Sequence, residues 1–310
     1  MSDVDIQMKR TDIALADLLK LYGVSKSAYY NWFSASGLKP EVPRKSQRSD
    51  SITTDEEAAV ITFRKEHGGI GYRKLCWMMI DANAACMSET SVYNILSKHN
   101  MLYRWNQTDN GDTEKEYRHK PKYVHHHWHT DIAYIKIRNV FYFLIMLLDG
   151  YSRYLLDWEL MTDMTGRSVE MFIQRAKEKY PHARPMLIND NGSQFISHDF
   201  KKLVTRLEIQ QVFTRRNHPQ TNGKIERMNG TVKNEALRPG CPRSYQDACE
   251  ILNNYSYEYN HQRLHAGIKY LRPSDMFFGR DKAVLNQRKQ KLFMARKLRI
   301  ESNQQRLNLS

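Results

Sequence analysis

The run Phe141–Leu148, FYFLIMLL, leaves a chain few choices. Successive residues of a strand face opposite sides of a sheet, so an unbroken apolar and aromatic run must be covered on both faces. It is about half the length needed to span a bilayer. A strand inside a helix-covered sheet is the remaining choice. The turn pairs Arg138-Asn139 and Asp149-Gly150 separate it from β-rich runs on either side, which predicts three antiparallel strands from Trp128 to Leu160.

Helix and strand then alternate. A helix is predicted over Gly166–Lys179, a strand over PMLIND, a helix near His198–Leu207, a short strand over QQVFT, and a helix containing GKIERMNGTVKNEAL. Three antiparallel strands followed by alternating helix and strand give an α/β fold, a ribonuclease H-like mixed five-stranded sheet flanked by helices. The residues before it are all-α. In Ile13–Phe33 an apolar-periodic helix ends near Gly23, and Ser25 can cap a second that carries Lys26, Ser27, Tyr29, Tyr30 and Asn31. That is the outline of a helix-turn-helix. After Gly68, Gly69 and Gly71, Tyr72, Arg73 and Lys74 open a new helix, and Ser88 can cap another, a second unit of the same kind. The expected domains are residues 1–50, a helix-turn-helix and linker; 51–106, a second helical unit; 107–122, a polar linker; 123–279, the core; and 280–310, a basic tail.

Charge narrows the partners. The formal net charge is +14, and from Lys201 onward 22 Lys and Arg stand against 9 Asp and Glu. A positive field concentrated in the last third suits a polyanion. The tail segment Asn286–Arg299, with Lys291, reads as a grip on DNA phosphates rather than a membrane-surface helix. No apolar run is long enough for a membrane span and no signal region opens the chain, so a cytoplasmic, nucleoid-associated protein is expected. The four cysteines lack ligand or framework spacing. His125, His126, His127 and His129 lack zinc-ligand partners at suitable spacing.

Three acids stand out. Asp131 lies within the strand TDIAYI, where Asp is disfavoured. Asp190 ends the strand of LINDNGSQF, beside the turn pair Asn191-Gly192, and alone would read as a turn residue. Glu226 is on the helix that follows the fifth strand. In the expected fold the first and fourth strands are neighbours, so the three carboxylates converge. Two like charges about 5 Å apart repel by about 3 kcal/mol at an effective dielectric near 20. A pair of Mg²⁺ or Mn²⁺ ions reverses that sign, and hard oxygen donors suit them better than zinc.

The motifs WHTDIAYI, NDNGSQF and HPQTNGKIERMNGTVKNE resemble the three catalytic motifs of bacterial insertion-sequence transposases of the DDE type, in the retroviral integrase superfamily. GVSKSAYYNW and GIGYRKL upstream, and YNHQRLHAGIKYLRPSDMF downstream, are similar to family segments as well, so the likeness runs from Gly23 to Gly279. It implies an integrase-type core with Asp131, Asp190 and Glu226 as catalytic, metal-binding acids holding two Mg²⁺ or Mn²⁺. The family's gap of 35 residues between its second and third acids is reproduced. Its basic residue seven positions after the Glu falls on Lys233, two helical turns on. Lys224, Arg227 and Asn229 on the same helix, with Lys26, Tyr29, Tyr30, Arg73 and Lys74 in the helical units, are the expected DNA contacts. The implied activity is Mg²⁺-dependent cleavage and strand transfer at the ends of an insertion sequence. The implied partners are terminal inverted repeats, target DNA, a homodimer or higher synaptic oligomer, and an upstream-encoded DNA-binding fusion partner. The competing expectation is a transposase-derived DNA-binding protein whose centre is silent.

Overall fold

β2 (Val140–Asp149) is the second strand of a five-stranded sheet in a computed structural model of the chain, which describes residues 15–35, 49–102, 120–213 and 222–308. β1 (His127–Ile137) and β3 (Leu155–Met161) pair with it antiparallel on either side. β4 (Met186–Asn189) runs parallel to β1, and β5 (Gln210–Phe213) parallel to β4, giving the order β3-β2-β1-β4-β5. This is the mixed sheet expected from the sequence. From Leu144 onward the run is covered on both faces, with Leu144, Met146 and Leu148 in one core and Ile145 and Leu147 in the other, whereas Phe141 at its start is exposed. Each fully buried side chain of this size is worth about 1.5–3 kcal/mol.

The helices form where the apolar spacing places them. In α6 (Gly166–Lys179), Val169, Phe172, Ile173 and Ala176 make one buried stripe, and the Thr165 hydroxyl caps the start by accepting the Ser168 N–H. α7 (Ser193–Ile196) and α8 (His198–Arg206) add Phe195, Phe200 and Val204 to the same core. On the opposite face lie α9 (Gly223–Val232), with Ile225, Met228 and Val232 inward, and α10 (Tyr245–His261). The sequence predicts one helix through Leu237. Instead α9 gives way at Lys233 to a π-turn, Lys233–Leu237. Within that turn the Glu235 carboxylate accepts two bonds from Arg263, at 2.7 and 2.6 Å, and one from the Tyr255 hydroxyl at 2.8 Å.

β3 ends the sheet, yet side chains occupy its outer backbone groups. Asn260 accepts the Leu155 N–H at 2.8 Å and donates to the Leu155 carbonyl at 3.0 Å. Lys179 donates to the Leu156 carbonyl at 3.0 Å and the Tyr245 hydroxyl to that of Leu160 at 2.8 Å.

The chain divides into two compact units, Met1–Ser51 and Ile52–Ser310. In the first, α1 (Leu15–Leu21) and α2 (Lys26–Ala35) are joined through Gly23, whose φ of +65° is one that glycine tolerates. The second contains α3 (Thr54–Glu66), α4 (Tyr72–Asp81) and α5 (Glu89–Lys98) around Val60, Leu75, Met79, Ile80, Val92 and Leu96. After α11 (Pro273–Phe277) comes α12 (Asp281–Asn308), which packs on α4. Residues 36–48, with most of the first expected linker, 103–119, which take in the end of the second helical unit and most of the second linker, and Pro219–Thr221 lie outside the described residues.

Candidate active site

Strand pairing brings the first two acids to one end of the sheet. β1 and β4 are in register at His129 and Ile188, so two residues further on Asp131 stands level with Asp190. Asp190 is also the turn residue its neighbours suggested, because its Oδ1 accepts the Gly192 N–H at 3.1 Å. Glu226 is exposed on α9, the helix whose apolar stripe packs on β1. The Asp131 carboxyl is pushed up to about 6. Burial is the largest cause, followed by the Asp190 charge, with a smaller contribution from Glu226. The three carboxylates therefore share one electrostatic field, in which charging Asp131 is unfavourable without a cation.

The oxygen-only donor set and that raised carboxyl fit a hard divalent cation. Among the described residues, however, no three His, Cys, Asp or Glu side chains are grouped so that they could hold a metal ion as they stand.

Asn229 has a different place from the one expected. It is 8% exposed and its Nδ2 donates to Asp131 Oδ2 at 2.9 Å, so it orients an acid rather than meeting DNA. Residues three apart on a helix share a face, and that spacing from Glu226 was the available signal. Lys224 is likewise turned inward, donating to the Gly150 carbonyl at 3.4 Å. His129, two residues before Asp131 and so on the same side of β1, is buried. Burial, followed by the charges of Lys224 and Arg153, holds its pKa well below the usual histidine range. Arg227 is exposed, and Lys233 is half-buried at the start of the π-turn.

The helical units correct further expectations. Lys26 and Tyr30 are exposed on α2. Tyr29, expected to contact DNA, is 3% exposed and packs with Leu18 and Leu19, a large ring in a small apolar core. Arg73 is exposed, with its Nε donating to the Tyr72 hydroxyl at 3.1 Å and lying 3.5 Å from Glu89. Lys74 is half-buried, and its pKa is lowered by burial and then by the charge of Arg263.

The basic tail is α12, and three of its cations are internal. Arg288 grips the Asp81 carboxylate through two bonds of 2.8 and 2.6 Å. Lys291 donates to the carbonyls of Ile80 and Asp81 at the end of α4, where a helix favours positive charge. Arg299 reaches Glu56 and the Cys86 carbonyl. Their partners lie some two hundred residues away, out of sight of local sequence patterns.

The sheet order and helical layers define a ribonuclease H-like fold, and residues 121–219 and 207–273 match two family models, each described as an integrase core domain. A "Transposase for insertion sequence element IS904" of Lactococcus lactis is 25% identical over 48% of this chain and 59% of that protein. An "Insertion element IS600 uncharacterized 31 kDa protein" of Shigella sonnei is 21% identical over 83% of this chain and 96% of that one. The catalytic core domain of the HTLV-2 integrase, solved in complex with magnesium, is 19% identical and aligns over 51% of this chain and 99% of that one, with a TM-score of 0.41. The chain thus carries an integrase core domain and is similar to insertion-sequence transposases of the integrase superfamily.

Proposed function

We propose that the chain is a DNA transposase that cuts at the ends of an insertion sequence and joins the freed 3′-hydroxyl to another phosphodiester. The observation that carries this reading is the shared field of Asp131, Asp190 and Glu226 at the end of the parallel strand pair. Asp131, Asp190 and Glu226 would hold one or two Mg²⁺ or Mn²⁺ ions, which when bound would supply activation of the attacking hydroxyl and charge for the leaving oxygen. The chain's own residues prepare that site. Asn229 fixes one oxygen of Asp131, the Gly192 N–H fixes one of Asp190, and the buried stripe of α9 sets the height of Glu226. Arg227 and Lys233 are the cations on α9 and its continuation available for phosphates, while Lys26, Tyr30 and Arg73 are available in the helical units.

The further elements of the proposal are terminal inverted repeats and target DNA as substrates, and a dimer or larger synapse. A fusion partner encoded upstream and action at the bacterial nucleoid complete it. Among the described residues no helix is long and apolar enough to cross a membrane. A second reading, a DNA-binding protein with a silent centre, is favoured by the acids' not being grouped to take a metal as they stand. One experiment separates the two. Labelled element ends are incubated with Mg²⁺ and wild type, Asp131→Asn, Asp190→Asn or Glu226→Gln. The transposase reading expects cleavage and transfer by wild type alone, with end binding within a few-fold in all four proteins. Binding without cleavage by wild type would establish the silent centre.

A further inference from the structure

The β1–β2 hairpin runs past the acids. β1 pairs with β4 only through His129, whereas its pairing with β2 continues to Ile137 and Val140. One face of this extension is packed, with Ala133, Ile135 and Ile137 in the core beside α9 and α10. Strand alternation turns Tyr134 and Lys136 to the other face, opposite Phe143 and Phe141 respectively. Tyr134 is 56% exposed and Phe141 55%. Their surroundings hold the rings in place. Tyr134 meets Phe143 edge-on at 5.3 Å, its hydroxyl donates to Met164 Sδ, and the Lys136 ammonium lies 5.8 Å from the Phe141 ring centre. Arg138, at the tip, adds a second cation and takes a φ of 52°, unusual for a residue with a side chain.

We propose that this face is a platform for unpaired nucleotides of the DNA strand beside the scissile bond, an inference that rests on the strand-transfer reading above. Chemistry favours that occupant. Exposed rings interleaved with Lys136 and Arg138 supply base stacking and phosphate contacts together, and the cross-strand pairs Tyr134–Phe143 and Lys136–Phe141 contain no carboxylate to repel a polyanion. A closed duplex keeps its base faces stacked on one another, so the rings select unpaired strands, whereas the cations alone would not. Tyr134 is three residues beyond Asp131, about 10 Å along the strand at 3.3 Å per residue but on the opposite face of β1, so a strand leaving the acids would reach the platform around the edge of β1 that β4 leaves unpaired beyond His129.

The test uses the full-length protein and two labelled probes, a short oligothymidylate and a blunt duplex of the same length, with element-end cleavage measured in parallel. Losing one stacked base costs about 1–3 kcal/mol, or roughly 5- to 150-fold in affinity. Tyr134→Ala and Phe141→Ala are each expected to weaken oligothymidylate binding by about ten-fold or more and to leave duplex binding within two-fold. Phe141→Trp, which keeps a stacking ring, is expected to retain binding and guards against loss through misfolding. Equal loss on both probes, or unchanged oligothymidylate affinity in both alanine variants, overturns the platform. So does concentration-dependent self-association that either alanine change abolishes, since a second copy would then cover the face. If wild type fails to cut element ends but its oligothymidylate binding still depends on both rings, the strand-transfer reading fails and the platform stands. If the alanine variants cut normally and bind oligothymidylate normally, the platform fails and the functional reading stands.

Discussion

Replacing Asp131 by asparagine should make the metal-free protein more stable at neutral pH. The Asp131 carboxyl rises from its ordinary 3.8 to about 6 on folding, mainly through burial and then through the Asp190 charge. The folded state therefore holds this proton more tightly than the unfolded chain. Its contribution to stability is full below about pH 4 and is lost as pH rises to about 6, where the charged form becomes a burden. Carrying a carboxyl across that interval corresponds to about 3 kcal/mol, at roughly 1.4 kcal/mol per pH unit. The substituted amide can still accept the bond from Asn229, and its own N–H groups can donate toward Asp190 and Glu226. We expect Asp131→Asn to gain about 1–3 kcal/mol at pH 7 in chelator and nothing below about pH 4. Urea unfolding of both proteins from pH 4 to pH 8 measures this. Added Mg²⁺ should stabilise wild type selectively, because a ligand of the folded state raises stability by mass action. A loss of stability at pH 7, or a gain independent of pH, would refute the reasoning.

Two other changes test the supports of the site. Asn229→Ala removes a bond to a charged oxygen that holds the Asp131 carboxyl down, so its pKa should climb further. Loss of such a support typically costs 10–100-fold in metal affinity, which Mg²⁺ titration of end cleavage would show as a raised half-saturation point. The acid limb of the pH profile should also move to higher pH, and an unchanged profile and half-saturation would remove Asn229 from this role. Arg288→Ala leaves Asp81 without its partner and frees α12 from α4. Losing one partner of a buried pair costs about 3–5 kcal/mol. Limited proteolysis should then cut within α12 far faster, and resistance equal to wild type would show that the pair does not hold the helix.

What the sequence revealed and hid follows from the range of each interaction. Phe141–Leu148 announced a doubly covered strand because alternation is a local property, a cover that holds from Leu144 onward while Phe141 stays exposed, and Val169, Phe172, Ile173 and Ala176 announced α6 for the same reason. The elements that carry Asp131, Asp190 and Glu226 were legible because turns bounded the two strands and an apolar stripe marked the helix. The role of Asn229 was half legible, since its helix face was given but not what lay across from it. Tyr29 was misread because the same helix face could serve a small core or a ligand, and only packing with Leu18 and Leu19 decides. The docking of α12 was illegible, because Arg288 and Asp81 meet only in three dimensions.

The side-chain bonds along β3 also constrain how copies of the chain can meet. A strand whose outer carbonyls already receive Asn260, Lys179 and Tyr245 offers no ladder for another strand to join. At this edge, two copies cannot zip into one continuous sheet, the geometry that in repeated form gives fibres. Assembly on this side is restricted to contacts between side-chain surfaces, which separate without breaking backbone pairing, so any contact between copies made here is a reversible one.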